Sequence, residues 1–300
     1  MSNLKYIIWN ANLLHDDING CGGCIALATL FENLKDLGVE TYLAIKIDQR
    51  IPGLKSYKDE DFFSLADLPN VENTRNLDLD ECVVIYPEVT KGNPLNCKNV
   101  VRWLLHAPDV IVQGTSEFYG SDDVLFAMEG WVKDMSESRG FNVEDEILKT
   151  LHIDFETFYD KKEFRYGTCY AIKKGWVDGS QIPDHSLNIE PFFNNPKALA
   201  EYFNKTECFY CYDDKSYLSI LAALCGCDSV VVNTNNQTEK EYFDSRSNFW
   251  RYGVAYGINN LEHSRATKHL LKQELIKEQE VCLSTVKGFM DCMQNRHENK

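Results

Sequence analysis

The stretch Cys208-Phe-Tyr-Cys-Tyr-Asp-Asp-Lys-Ser-Tyr-Leu-Ser-Ile-Leu-Ala-Ala-Leu-Cys-Gly-Cys-Asp-Ser-Val-Val-Val-Asn233 admits few folds. Its first apolar run, residues 208–212, is short and aromatic and ends in an acidic pair. Its last, residues 229–232, is β-branched and continuous, and both patterns suit buried strands. Between them Tyr217, Ile220, Leu221 and Leu224 fall at helical spacing, and Gly226 stands where a helix stops. Neighbouring parallel strands require such a crossover, so the expectation is an α/β chain built on parallel sheet.

Asp213, Asp214, Lys215 and Ser216 lie where the first strand hands over to the helix. Free amides and the positive end of the helix dipole make such a turn an anion site. Ligands of open α/β sheets also bind outside the carboxyl ends of the strands. The expectation is a phosphate held by the amides near Ser216 and Tyr217 with help from the Ser216 hydroxyl, and Asp213 accepting hydrogen bonds from a hydroxyl-rich group. A plain N-cap role for Asp214 or Ser216 explains the same residues as well.

Composition narrows the partners. With 44% hydrophobic and 12% aromatic residues, 300 residues can bury a substantial core, in one large domain or two of ordinary size. The net charge of −15 disfavours nucleic acid and anionic membrane as main partners. No run approaches the ~20 apolar residues of a membrane span. Eleven cysteines without an apolar leader before the first strand read as reduced thiols of a cytoplasmic protein, several of them small core residues. Cys21-Gly-Gly-Cys24 has the spacing of a redox pair, and Cys208/Cys211 and Cys225/Cys227 that of metal pairs. No second motif with zinc-ribbon spacing accompanies them, so redox and metal chemistry are disfavoured and no metal is expected.

In chain order, residues 5–9 read as a strand and residues 10–20 as a polar loop carrying His15, Asp16 and Asp17. Gly20-Cys-Gly-Gly23 then opens a helix that stops at Gly38, before a strand over 41–45. Gly22 and Gly23 let a ligand or a second domain approach the backbone, although the dinucleotide Gly-x-Gly-x-x-Gly spacing is absent. Residues 48–80 are polar and irregular. A buried strand over 82–86 ends in Pro87-Glu88, which places Glu88 at a strand's carboxyl end, as a site group, a cap or a partner of Arg102. Residues 96–105 read as a helix; 109–112, 124–128 and 148–153 read as strands, with a solvated loop or short helix over 134–146. The charged segment 159–165 marks a domain boundary. Beyond it come a strand over 168–172, the basic turn Lys173-Lys-Gly175, a helix over 194–203 with Pro196 in its first turn, and the unit described above. Residues 237–245 read as helix, 250–257 as an aromatic loop and 261–293 as one or two long amphipathic helices.

Several of these blocks together carry a resemblance: Tyr86-Pro-Glu, Gly92-Asn-Pro-Leu-Asn-Cys-Lys-Asn-Val-Val-Arg-Trp-Leu-Leu105, Arg165-Tyr-Gly-Thr-Cys-Tyr-Ala-Ile-Lys-Lys-Gly175, Tyr212-Asp213 with Ala222-Ala-Leu-Cys-Gly-Cys227, and Tyr252-Gly-Val-Ala-Tyr-Gly257. In this order they resemble the nucleotide-sugar-dependent glycosyltransferases of the GT-B fold, over most of the chain. The resemblance implies two Rossmann-like domains facing a cleft: an acceptor-side domain over 1–158, a nucleotide-sugar-binding domain over 159–280, and a final helix over 281–300 crossing back to the first. It implies a nucleotide-diphosphate sugar as co-substrate, no cofactor beyond it and no obligatory metal. Lys173 and Lys174 match the basic turn for the donor diphosphate, Asp213 the first acid of the family's Glu-x7-Glu pattern, and Ser216 the helix start beneath the phosphates. Gly22, Gly23, Tyr212 and Tyr217 join them as donor-side candidates. The pattern's second acid falls on Leu221, and the histidine often found on the first helix falls on Ala28.

Glycosyl transfer needs the departing diphosphate neutralised and, with inversion, a base for the acceptor hydroxyl. Lys173, Lys174 and Ser216 are the candidates for the first task. Asp16 and Glu88 lead for the second, ahead of Asp17, His15 and His106. The expected acceptor is a hydroxyl of a glycan-type molecule and the group moved a hexosyl or pentosyl unit. A transferase acting on modified DNA bases and an inactive nucleotide-sugar-binding protein are the alternatives.

Overall fold

The computed structural model describes residues 4–10, 22–45, 58–65, 77–173, 177, 179–232 and 237–298. The chain divides into two compact units, Met1–His152 with Gln279–Lys300, and Ile153–Glu278.

In the first unit β1 (Lys5–Trp9), β2 (Thr41–Ile45), β3 (Phe62–Ser64), β4 (Cys82–Pro87), β5 (Asn99–Leu104) and β6 (Val124–Ala127) make a parallel sheet in the order β3-β2-β1-β4-β5-β6. Its strands are apolar on both sides because both faces are covered. Successive side chains alternate between faces, and the burial follows. Tyr6 and Ile8 of β1 and Val83 and Ile85 of β4 pack with Leu27, Leu30 and Leu34 of helix α1 (Gly22–Asp36). Ile7, Trp9, Val84 and Tyr86 pack on the other side with Leu95, Cys97 and Val100. Each fully buried Ile, Leu or Val contributes about 1.5–3 kcal/mol. A second helix, α2 (Gly130–Ser138), follows β6.

In the second unit β7 (Thr168–Ala171), β8 (Leu187–Asn188), β9 (Cys208–Cys211), β10 (Asp228–Val231) and β11 (Val254–Tyr256) form a parallel sheet in the order β11-β10-β9-β7-β8. Helix α3 (Pro196–Lys205) starts as its sequence dictates, with Pro196 in the first turn and the Asn195 side chain accepting the Ala198 amide at 3.1 Å. Leu199, Ala200 and Phe203 of α3, Leu218 and Ala222 of α4 (Leu218–Leu224) and Cys225 just after it close the core over Phe209 and Cys211. Helix α5 (Glu239–Asp244) opens with a Thr238/Glu241 capping box. After α6 (Leu261–Thr267), helix α7 (Leu271–Glu298) begins in the second unit and ends in the first, where Val286, Phe289 and Met293 enter the core. No helix among the described residues is long and apolar enough to cross a membrane.

Four expectations need correction. Residues 96–105 contain β5 and no helix: the spacing of Val100, Val101, Trp103 and Leu104 suits either element, and the wholly buried Arg102 hides the strand. Residues 109–112 are turn and bend, not strand, and Val110, Ile111 and Val112 face solvent. Residues 148–153 form no strand, although Leu148 donates its amide to the Ala127 carbonyl at 3.0 Å and accepts the Trp103 indole N–H at 2.7 Å. The aromatic loop over 250–257 contains β11.

Candidate functional site

Each sheet has one place where the strand order reverses. There the connections leave neighbouring strands toward opposite faces and open a crevice at the carboxyl ends, which is where open α/β sheets bind ligands. In the second unit it lies between β7 and β9, and in the first between β1 and β4.

The crevice of the second unit is edged by the turn after β7 and the turn after β9. After β7, Lys173 is exposed at φ 46°, a left-handed conformation uncommon outside glycine. Glu190 holds it there, one carboxylate oxygen accepting the amides of Ile172 and Lys173, both at 2.7 Å. The Lys173 ammonium stands 5.0 Å over the Phe193 ring. Lys174 lies outside the described residues.

After β9, Asp213 is only 8% exposed. Its Oδ1 accepts the Lys215 amide at 3.1 Å, a turn that asparagine and aspartate favour. No protein donor reaches Oδ2 among the described residues. The Ser216 amide donates to the Asp213 carbonyl at 3.1 Å. That amide is therefore spent on the turn, and the expectation of phosphate bound by the amides near Ser216 and Tyr217 loses one of its donors. Ser216 is buried, and its Oγ accepts the Leu218 amide at 3.4 Å, leaving the hydroxyl proton to point elsewhere. Helix α4 has only seven residues, so its dipole adds little. Tyr212 is fully buried and donates its hydroxyl to the Gln181 carbonyl at 2.7 Å; it braces the crevice wall. The Tyr217 ring packs 5.6 Å from Trp250 and 6.1 Å from Phe249.

Sequence reading missed the groups that fix this turn. The Asp214 carbonyl accepts Arg246 Nη2 at 2.9 Å and the Tyr242 hydroxyl at 3.2 Å, and Arg246 also reaches the Asp214 carboxylate at 3.3 Å. The guanidinium lies 3.7 Å over the Tyr242 ring. Neither Arg246 nor Glu190 belongs to a motif; a lone charged residue beside an apolar run, paired by the fold, was the available signal.

In the first unit Glu88 follows β4 directly and is buried. Its Oε2 accepts the Leu105 amide at 3.2 Å, and its carbonyl accepts the Tyr119 hydroxyl at 2.6 Å. It therefore ties the end of β4 to the chain leaving β5, while Arg102 pairs with Asp123. Asn10, which follows β1, is completely buried and donates to the Cys24 carbonyl in the first turn of α1 at 3.2 Å. Gly22 and Gly23 begin that helix, and a Cβ on Gly22 would meet nothing within 4 Å, so packing does not demand glycine there. Asp16 lies outside the described residues.

Other clusters sit away from these crevices. A cavity of about 480 Å³ opens at the amino ends of β4, β5 and β6, beside Asn99, Glu144 and Arg296. Glu144, Glu146 and Cys292 bring one ligand atom each within 4.8 Å of one another, but Arg296 already supplies the countercharge of Glu144. The ten described cysteines are free thiols, nine of them buried. Burial pushes Cys208 up to about 11, and Cys211 and Cys225 up to about 12. Such thiols are inert at neutral pH. Cys21 lies outside the described residues.

No protein-family model matches the chain, and no curated protein matches it. Solved structures match it along its length. An alpha-glucosyltransferase in complex with UDP and a 13-mer DNA containing a central A:G mismatch superposes with a TM-score of 0.50 at 13% identity, over 99% of this chain and 100% of that one. MurG of Acinetobacter baumannii gives 0.37 at 9% identity over 97% and 99%. The spinosyn forosaminyltransferase SpnP gives 0.37 at 10% over 95% of each chain. With its two parallel sheets and long final helix, the chain has the GT-B fold, as the sequence resemblance implied.

Proposed function

We propose that this chain is a nucleotide-sugar-dependent glycosyltransferase, moving a hexosyl or pentosyl group from a nucleoside diphosphate to a hydroxyl of a glycan-type acceptor. The observation that carries the reading is Asp213. It is a nearly buried carboxylate at the reversal point of the second sheet, with one oxygen fixed by the Lys215 amide and the other receiving no donor among the described residues. A carboxylate oxygen at the mouth of the crevice that no described protein donor reaches is placed to accept hydrogen bonds from a hydroxyl-rich ligand.

In this reading the donor belongs to the second unit. Asp213 holds the sugar hydroxyls, while Lys173, Lys174 and the Ser216 hydroxyl meet the diphosphate charge that grows as the glycosidic bond breaks. Gly22, Gly23, Tyr212 and Tyr217 complete the donor-side set. The acceptor belongs to the first unit, where Asp16 and Glu88 are the carboxylates available to take the hydroxyl proton of an inverting reaction. No cofactor or metal has a part.

The DNA in the solved alpha-glucosyltransferase complex belongs to that protein. A chain of net charge −15 repels a polyanion, so a glycan hydroxyl comes first and a modified DNA base second. Thermal-shift measurements with nucleoside diphosphates and their sugars test the donor. A ligand at 100 times its Kd stabilises the fold by about 2.7 kcal/mol. Slow donor hydrolysis without acceptor separates an enzyme from a binder, and no shift with any nucleotide sugar overturns the reading.

A further inference from the structure

Lys173 is held at both ends by one short segment of chain. Its backbone stands at φ 46°, a left-handed conformation that is unfavourable for a residue with a side chain and persists only where the surroundings impose it. One oxygen of Glu190 imposes it, accepting the amides of Ile172 and Lys173, both at 2.7 Å. The other end of the residue, the ammonium, stands 5.0 Å from the centre of the Phe193 ring, on the same segment as Glu190.

That segment is itself anchored. The Ile189 amide donates to the Tyr170 carbonyl of β7 at 3.1 Å, and the Ile189 side chain is completely buried. The Glu190 amide donates to Asn188 Oδ1 at 2.9 Å, Pro191 fixes the backbone after it, and the Phe193 amide closes a turn on the Glu190 carbonyl at 3.2 Å. Phe192 packs on Tyr202 of α3 with ring centroids 4.2 Å apart. Glu190 is thus a fixed post. The Lys173 charge, in turn, is felt inside the crevice: burial pushes the Cys211 thiol, at the carboxyl end of β9, up to about 12, and Lys173 is close enough to act against that rise.

A carboxylate at the edge of a diphosphate crevice works against its ligand, because like charges repel. The two amides it holds give it a role that outweighs the repulsion. We infer that Glu190 is a positioning residue that acts through Lys173 on the bound diphosphate, fixing the Lys173 backbone so that the ammonium meets the phosphates, with Phe193 steadying the ammonium end. This role rests on the glycosyltransferase reading, which supplies its ligand. A free lysine has much rotamer entropy to lose, and one already held in place loses less of it on binding. Because Glu190 occupies the amides of Ile172 and Lys173, phosphate recognition at this turn falls to side chains and not to those amides.

Two substitutions separate reach from charge. Glu190→Gln keeps an acceptor oxygen at the same reach and removes the charge, whereas Glu190→Asp keeps the charge and is one methylene too short to serve both amides. The probe is inorganic pyrophosphate, its binding followed by phosphorus NMR titration and by the Lys173 amide resonance. Glu190→Asp is expected to weaken pyrophosphate binding about tenfold, equivalent to about 1.4 kcal/mol, while Glu190→Gln binds at least as tightly as wild type because the repulsion is gone. On a Lys173→Ala background, where the ammonium is missing, Glu190→Asp should cause no further loss. A carboxylate that acts by its charge gives the reverse order of the two variants and overturns the inference. A mere brace lowers the melting temperature of Glu190→Asp and leaves its pyrophosphate affinity at the wild-type value, which overturns it too. So does a loss that persists in full on the Lys173→Ala background, or a wild type that binds no pyrophosphate. The expected pattern with pyrophosphate, together with no binding of any nucleotide sugar, upholds the role of Glu190 and sinks the transferase reading alone.

Discussion

Arg102 is wholly buried in the middle of β5 and donates its Nε–H to Asp123 Oδ2 at 2.6 Å. The same guanidinium donates to the carbonyls of Thr90 at 3.1 Å and Gly92 at 2.6 Å, and its face lies 5.0 Å from the Tyr86 ring and 4.5 Å from Tyr119. One side chain thus fixes the chain leaving β4 and the chain entering β6. Arg102→Met leaves Asp123 with a buried charge and, among the described residues, only the Gly120 amide at 3.0 Å. Breaking such a pair costs about 3–5 kcal/mol. Urea unfolding measures it, and Arg102→Lys should recover little because an ammonium has no planar fork.

That arginine also shows where sequence reading stops. β1, β2, β4, β7, β9 and β10 announce themselves as continuous apolar runs, because parallel strands are covered on both faces. β5 does not, since the Arg102 charge is compatible with a core only through partners distant in sequence. β11 has three residues between Gly253 and Gly257 and looks like a loop. The run 110–112 misleads in the other direction, its composition being that of a strand and its exposure that of a surface turn. At the crevices the turn residues Asp213 and Ser216 and the strand-end Glu88 were legible from strand ends alone. Glu190 and Arg246, which fix the turns, act across 17 or more residues and left no local pattern.

Gly226 ends α4 at φ 85°, where a side chain is strained. A Cβ there would also collide with the Arg165 guanidinium and the Asp160 carboxyl, which pair with each other. Gly226→Ala should cost roughly 1–2 kcal/mol for the left-handed backbone, and more for displacing that pair. A melting temperature equal to wild type would show that the turn can relax.

Asp228 begins β10 between Lys268 at 2.8 Å and Arg265 at 2.7 Å. Burial draws its pKa upward, but the hydrogen bonds and charges of those two cations outweigh burial and hold it below the ordinary carboxylate value. A depressed folded-state pKa gives stability that is complete above the unfolded value, about 3.9, and is lost as pH falls through the folded one. Asp228→Asn should therefore flatten the acid limb of the stability curve below about pH 4. If the two acid limbs superimpose, the pair contributes nothing measurable.

Asp213→Asn distinguishes a ligand clamp from a turn-former. The turn asks for one acceptor oxygen on the Lys215 amide, and asparagine supplies it, so stability should stay within about 0.5 kcal/mol of wild type. The clamp asks for charge on the second oxygen, where sugar hydroxyls donate. Replacing that oxygen with an amide nitrogen removes a charge-assisted acceptor of about 1.5–3 kcal/mol, roughly a ten- to hundredfold loss in kcat/KM if the contact strengthens in the transition state. The affinity for the nucleoside diphosphate alone should hardly change, because it lacks the transferred sugar. A variant that transfers at the wild-type rate, or loses activity only in step with its melting temperature, leaves Asp213 as a residue of the turn.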